Sequence, residues 1–421
     1  MALEKRSEGK ADPITVMLVD DSAVIRGLFT RTLEADPDVQ VTISVGDGQA
    51  AIDKLKRNEV DIMVLDIEMP RLDGISALPR LLEIDPDLPI IMASTLTHRN
   101  AEISMKALEL GAKDYLTKPS TTRELTGEAD FKSALLNRVK AFGDPRRRHR
   151  RATQPNSAAA PNKVFSAERV PAPASVPTRT PAPTRTPART PAPARIPTST
   201  PAPTPRSARS TPLFSKPGEP KVFTLRAAAK VSPLVLAIGS STGGPQALFK
   251  VLADLPKNIR QPIFITQHMP ATFTTILAEH ITKSTGWPCS EAKDGEVAQS
   301  GQIYLAPGDY HMTVKTDGTR KVINLDQSPP VNFCRPSVDP MLESLTTAYG
   351  GRVLTIILTG MGEDGRNGAQ SVVDAGGQVV AQDEKTSVVW GMPGAVAMTG
   401  LCSAVLPLDQ IGAHVHQLAT R

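Results

Sequence analysis

Three segments in the C-terminal half of the chain set a serine, a histidine and an aspartate behind apolar, β-branched runs. Gly239-Ser240-Ser241-Thr242-Gly243-Gly244 follows Leu234–Ile238, Gln267-His268-Met269-Pro270 follows Pro262–Ile265, and Gly360-Met361-Gly362-Glu363-Asp364-Gly365 follows Val353–Leu358. Such runs read as buried parallel strands. In open α/β sheets the rim at the C-terminal strand ends is where sites form. Serine, histidine and aspartate are the residue types of a nucleophile, its base and the group that orients the base. Each segment alone also has a plainer reading. Gly239–Gly244 fits a phosphate cradle or a tight turn, and its spacing is neither Gly-x-Gly-x-x-Gly nor Gly-x-Ser-x-Gly. A histidine at a strand end is more often structural, and Asp364 could merely cap a helix. The conjunction of the three at strand ends is what points to catalysis.

The N-terminal half carries a second set. Ile14–Val19 ends in Asp20-Asp21, Val60–Leu65 in Asp66, Ile90–Ala93 in Ser94-Thr95, and Lys113–Leu116 in Lys118-Pro119. Three carboxylates at one rim repel each other unless a cation joins them, and hard oxygen ligands suit Mg²⁺. With the metal present, the Asp66 carboxylate can attack a phosphoryl group. Ser94 and Lys118 are then placed to contact the new phosphoryl oxygens. The plain alternative is a series of helix N-caps and solvated acids, against which the order of the four parts argues.

The elements needed to position these residues are strands alternating with helical patterns, the signature of parallel doubly wound sheets. At 421 residues the chain has room for two such domains and connecting sequence. Composition shifts between the halves. From Asp144 to Val222 lie nearly half of the 38 prolines and few large apolar residues, so no core is expected there. The organisation expected is one α/β domain over 13–142, a disordered Pro/Ala/Arg-rich linker over 143–222, and a second α/β domain over 223–421. Net charge is +5, with a pI near 9.0. The densest basic run, Arg146–Arg151, falls in the expected linker and lacks interleaved aromatics, which favours a solvated spacer over nucleic-acid binding. Cys289, Cys334 and Cys402 form no Cys-x-x-Cys, so neither disulfides nor zinc are indicated, and Cys334 reads as a small apolar residue. The N-terminus lacks the apolar core of a signal peptide and no apolar run is long enough to span a bilayer, so a cytoplasmic protein is expected.

The three C-terminal segments resemble the catalytic domain of the chemotaxis protein-glutamate methylesterases. Further stretches match: Ile303–Gly308, Arg335-Pro336-Ser337-Val338-Asp339, Ala381-Gln382-Asp383-Glu384 and Gly391-Met392-Pro393. The resemblance covers roughly residues 230–415. It implies Ser241 as nucleophile, His268 as base and Asp364 as third member, with Ser240 standing where alanine is common. It also implies hydrolysis of receptor glutamyl methyl esters to glutamate and methanol, deamidation of receptor glutamine, and no cofactor for that chemistry. Thr242 and Met361 are the backbone N–H groups expected at the oxyanion.

Residues 13–142 resemble the response-regulator receiver domain. This implies Asp66 as phosphoacceptor, with Asp20, Asp21 and Asp66 around Mg²⁺. Ser94, Lys118 and Tyr115 take the switch positions, and the Lys118–Pro119 bond is expected cis. A strand residue half-buried for packing alone remains an equal reading of Tyr115. The partners implied are methylated chemoreceptors as substrate and the chemotaxis histidine kinase as phosphodonor, with no nucleic acid and no membrane span. The unphosphorylated receiver is expected to cover the catalytic cleft. Two rivals stay open: a response regulator without enzymatic activity, whose C-terminal domain binds a partner or DNA, and a nucleotide site at Gly239–Gly244.

Overall fold

A computed structural model describes residues 12–95, 97–118, 129–153, 223–229 and 231–420. The proline-rich stretch expected as linker and the bond to Pro119 lie outside the described residues.

The first domain is a five-stranded parallel sheet in the order β2-β1-β3-β4-β5. Its strands are β1 (Ile14–Val19), β2 (Val39–Val45), β3 (Ile62–Asp66), β4 (Ile90–Ser94) and β5 (Asp114–Thr117). The three central strands are nearly continuous apolar runs because helices cover both faces. Four helices fill the crossovers: α1 (Ala23–Leu33), α2 (Gly48–Leu55), α3 (Gly74–Ile84) and α4 (His98–Glu109). Each opens on a side chain that accepts a bond from the first turn, namely Ser22, Asp47, Asp73 and Thr97. Strand order reverses at β1 and β3, which is where a crevice opens in such sheets.

The domain ends later than the composition suggests. Helix α5 runs Ala129–Thr153, through Pro145 and the whole Arg146–Arg151 run. This corrects both the boundary at 142 and the reading of the basic run as a solvated spacer. The physical reason is that Arg146, Arg147 and Arg150 meet acids and carbonyls of the domain. Arg150 pairs with fully buried Asp61 at 3.1 Å, Arg146 pairs with Asp85 and donates to the Val60 carbonyl, and Arg147 donates to the Asp12 carbonyl. Earlier in α5, Leu135, Val139 and Phe142 are buried in the cluster of Ile14, Phe29 and Leu33. Gly143 lets the helix approach Ile14, since a Cβ there would lie 2.5 Å from its Cγ2.

The second domain holds a seven-stranded parallel sheet in the order β14-β13-β12-β6-β7-β9-β8. The strands are β6 (Val235–Ser240), β7 (Ile263–Gln267), β8 (Cys289–Glu291), β9 (Ile303–Leu305), β12 (Val353–Ile357), β13 (Gln378–Gln382) and β14 (Ala404–Leu406). Its helices are α6 (Gly244–Asp254), α7 (Ala271–Thr285), α8 (Val338–Tyr349), α9 (Arg366–Asp374), α10 (Met392–Met398) and α11 (Leu408–Ala419). An antiparallel pair, β10 (His311–Asp317) and β11 (Arg320–Asp326), is an addition that the doubly wound reading did not contain. The sheet departs in both directions from β6 and β12, so its crevice lies at their C-terminal ends.

The two domains pack through α4 and β5 against α6 and α7. Tyr115 stacks on Phe273 with ring centroids 4.4 Å apart and planes 11° off parallel. Gln246 donates its amide to the Ala112 and Leu108 carbonyls, and His280 meets Glu109 at 3.1 Å.

Candidate active site

The turn after β6 separates the two adjacent serines. Ser240 is the last strand residue; its side chain is buried and donates to Gln267 Oε1 at 2.7 Å. Ser241 starts the turn, half-buried, with its N–H on the Thr359 carbonyl and its carbonyl accepting from Gln267 Nε2 at 2.9 Å. Gln267 thereby fixes both residues, and it engages the hydroxyl of Ser240 but only the backbone of Ser241. Gly243 has φ +74°, and a Cβ on Gly244 would lie 2.0 Å from Gln267 Oε1. The Gly243-Gly244 pair is therefore a steric requirement of the turn. Gly360 closes the other side, where a Cβ would lie 2.9 Å from Ser241 Cβ. The backbone leading into Met361 thus runs against Ser241, while Thr242 follows it, buried, with its carbonyl on Thr359 Oγ1.

His268 sits one residue beyond β7, its N–H on the Ser240 carbonyl at 3.1 Å. Its Nε2 bonds Asp364 Oδ2 at 2.7 Å. Asp364 is buried. It accepts from the Val338 N–H at 2.7 Å, Ser337 Oγ at 2.7 Å, Asn332 Nδ2 at 2.8 Å and its neighbour's N–H at 3.0 Å. Two of these donors stand at the start of α8, where the helix dipole favours an anion. Burial pushes the Asp364 carboxyl upward, but the bond and charge of His268, then Val338 and Ser337, outweigh it and hold it near about 2. Burial likewise lowers the His268 imidazolium, and the bonds and charges of Asp364 and Cys334 outweigh it and raise it. Asp339 serves elsewhere, accepting from the Gly368 N–H at 2.7 Å and from Asn332.

With Nε2 on Asp364, the ring nitrogen left for a substrate-side hydroxyl is Nδ1. Cys334 Sγ lies 3.4 Å from it. Cys334 is therefore in contact with the histidine, not the inert apolar filler that sequence favoured. Asn332 and Ser337 also escaped sequence reading as ligands of Asp364. The signal available was their nearness to Arg335-Pro336-Ser337, a stretch whose role only the folded geometry reveals. Asn332 and Phe333 both have positive φ, 52° and 63°. For an aromatic residue that is a genuine outlier, costing roughly 1–2 kcal/mol.

In the first domain, Lys118 Nζ bridges Asp20 Oδ2 at 2.7 Å and Asp66 Oδ1 at 2.6 Å. One carboxylate oxygen from each of Asp20, Asp21 and Asp66 lies within 4.8 Å of the others. Burial pushes the Asp66 carboxyl up to about 6; Lys118 opposes this and Asp20 adds to it. A hard, all-oxygen donor set whose acids repel one another fits Mg²⁺. Gly74 is needed beside the acid, since a Cβ there would lie 1.9 Å from the Asp66 carbonyl oxygen. Ser94 is buried at the end of β4 with its hydroxyl 3.3 Å from Ser104 Oγ, and Tyr115 is committed to the Phe273 stack. Among the described residues, no helix is long and apolar enough to cross a membrane.

Comparison with known proteins gives two family matches: CheB methylesterase over residues 236–415 and response regulator receiver domain over residues 16–130. The chain is 50% identical over 422 aligned positions to "Protein-glutamate methylesterase/protein-glutamine glutaminase 1" of Paramagnetospirillum magneticum, covering all of both chains. It is 51% identical to the protein-glutamate methylesterase/protein-glutamine glutaminase of group 2 operon of Rhodospirillum centenum, over 98% of this chain and 96% of that one. Among solved structures, the Thermotoga maritima CheB methylesterase catalytic domain is 41% identical with a TM-score of 0.44, covering 45% of this chain and 100% of that one.

Proposed function

Because the chain belongs to the protein-glutamate methylesterase/protein-glutamine glutaminase family, with a response-regulator receiver at its N-terminal end, we propose that Ser241, His268 and Asp364 carry its ester and amide hydrolysis. The enzyme hydrolyses protein glutamyl methyl esters in chemotaxis under control of its receiver. The observation that carries the residue assignment is the 2.7 Å bond from His268 to a carboxylate held ionised by its own donors, beside a serine whose neighbour's hydroxyl is already engaged.

Ser241 Oγ attacks the ester carbonyl carbon, and its proton passes to His268 Nδ1. The imidazolium then returns that proton to the leaving methoxide, releasing methanol and an acyl-serine. Water attacks the acyl carbon by the same relay in reverse, freeing Ser241 and the glutamyl carboxylate. Asp364 orients the imidazole and compensates its charge at each step. A glutamine side chain follows the same course with ammonia leaving, which accounts for the second activity in the family name. The N–H groups of Thr242 and Met361 are our candidates for binding the tetrahedral oxyanion.

Asp66 is the proposed phosphoacceptor, with Asp20, Asp21 and Asp66 as the residues that would hold Mg²⁺. When bound, that ion neutralises phosphoryl oxygens. Lys118 contacts the new oxygens and Ser94 turns toward them, reshaping the α4–β5 face that packs on α6 and α7. Those two helices begin directly after the Ser241 turn and the His268 segment, so the receiver bears on the helices that seat both groups. Chemoreceptors as substrate, a histidine kinase as phosphodonor and a cytoplasmic location complete this reading. The deciding experiment is methanol release from methylated receptor membranes by wild type, Ser241→Ala and Ser240→Ala. Activity surviving in Ser241→Ala but not in Ser240→Ala would move the nucleophile to the neighbouring serine.

A further inference from the structure

Val331, Asn332, Phe333 and Cys334 form a closed two-residue turn. The Val331 and Cys334 N–H groups each bond the other's carbonyl, at 3.1 and 2.9 Å. Both central residues have positive φ, the backbone of a type I′ turn, where asparagine followed by glycine is the favoured pair. Here asparagine is followed by phenylalanine. The turn is tied to the catalytic residues at two points. Asn332 Nδ2 donates to Asp364 at 2.8 Å and to Asp339 at 2.9 Å, and Cys334 Sγ touches His268 Nδ1 at 3.4 Å. With its neighbours so fixed, the residue between them has no freedom to leave the left-handed region.

Glycine would meet that demand without strain. Phenylalanine meets it with strain and without burial against the described residues, since it is 102% exposed. It is the most exposed large apolar residue among those described, and it stays so with the receiver packed on the catalytic domain. Backbone strain of this kind gathers at functional sites, where the surrounding structure over-determines it. An aromatic ring presented rigidly is also what a protein–protein contact uses as an anchor.

We propose that Phe333 is a specificity-determining residue. Its ring packs on an apolar side chain of the substrate protein that neighbours the scissile glutamyl ester, and so seats that ester between Ser241 and His268. The proposal rests on Ser241, His268 and Asp364 being the catalytic set. It assigns Phe333 no chemistry, so its loss weakens substrate binding and leaves the acyl transfer intact.

The test is steady-state methanol release from methylated receptor membranes by the full chain carrying Phe333→Ala, Phe333→Gly or Phe333→Trp, with Ser241→Ala beside them. The expected result is a KM raised about tenfold in both the alanine and glycine variants, equivalent to roughly 1.4 kcal/mol. Their kcat should stay within about twofold of wild type, with the tryptophan variant restoring KM. Unchanged KM in the alanine and glycine variants overturns the proposal. So does a fall in kcat at constant KM, which would assign the turn to holding Asp364 and His268. A glycine variant that behaves as wild type while alanine does not would trace the effect to backbone strain, again overturning it. Turnover retained in Ser241→Ala sinks the catalytic assignment instead, whatever the Phe333 variants do.

Discussion

At the scale of single residues, the Gln267 side chain explains why two adjacent serines are not equivalent. It binds the Ser240 hydroxyl but only the carbonyl of Ser241, which is why Ser241 is the proposed nucleophile. Ser241→Ala is expected to lower turnover by on the order of 10⁶. Ser240→Ala should cost little activity, because it removes only a bond inside the turn. A methanol-release assay on both variants checks this. Asp364→Asn should lower kcat by roughly 10⁴. It should also move the acid limb of the pH profile. Asp364 and Cys334 raise the His268 imidazolium against the effect of burial, so with His268 as the proposed base activity is expected to be lost as pH falls through its raised pKa. Without the carboxylate the imidazolium returns toward its ordinary range, and the limb shifts to lower pH. A limb that stayed in place, in kcat/KM measured across pH, would mean another group sets it. The candidates Ser241, His268 and Asp364 were legible from residue types at strand ends, and the fold bonds two of them, His268 and Asp364, directly. Which ring nitrogen meets Asp364 was not, since the choice of Nε2 depends on ring orientation. Cys334 was misread for the same reason: nothing in its sequence neighbourhood says that its sulfur meets His268.

At the scale of elements, strand runs were well marked because a parallel strand buried on both faces leaves an unbroken apolar signature. Helix α5 was not. Its Pro145 and arginine run resemble linker composition, and what makes them helix is acids drawn from distant parts of the domain. Asp61 is the clearest case. It is fully buried, accepts from the Thr15 N–H and hydroxyl at 2.8 Å, and faces Arg150 at 3.1 Å. Arg150→Ala should leave that acid short of charge compensation and lower receiver stability by about 1–3 kcal/mol. Urea unfolding of the full chain, followed by circular dichroism, would show this as an earlier receiver transition. A transition at the wild-type midpoint would mean that the end of α5 contributes nothing to stability.

At the scale of the whole molecule, control by the receiver is a difference in docking free energy, and tenfold activation needs about 1.4 kcal/mol. The Tyr115–Phe273 stack alone is worth about 0.5–1.5 kcal/mol. Tyr115→Ala should therefore raise the activity of the unphosphorylated chain by roughly 2- to 10-fold and reduce the further gain from a phosphodonor. Unaltered basal methanol release in this variant would show that the stack does not restrain the catalytic domain. Asp66→Asn should keep the basal rate and give no response to a phosphodonor with Mg²⁺; a retained response would move the phosphoacceptor elsewhere.

The sequence by itself determined two parallel α/β domains and which strand ends carry chemistry. Those features are written in local apolar periodicity and in the residues just past each run. It also carried the order of acids and lysine in the receiver and the serine, histidine and aspartate of the esterase, because each sits at a fixed place relative to its own strand. Only the tertiary structure decided how strands distant in sequence become neighbours. That step brings Asn332 and Ser337 onto Asp364, Gln267 between two serines, and Tyr115 onto Phe273. These are contacts between segments with no local relation to each other, and they are fixed by the crossing order of the sheets and by side-chain orientation, neither of which is encoded in spacing along the chain.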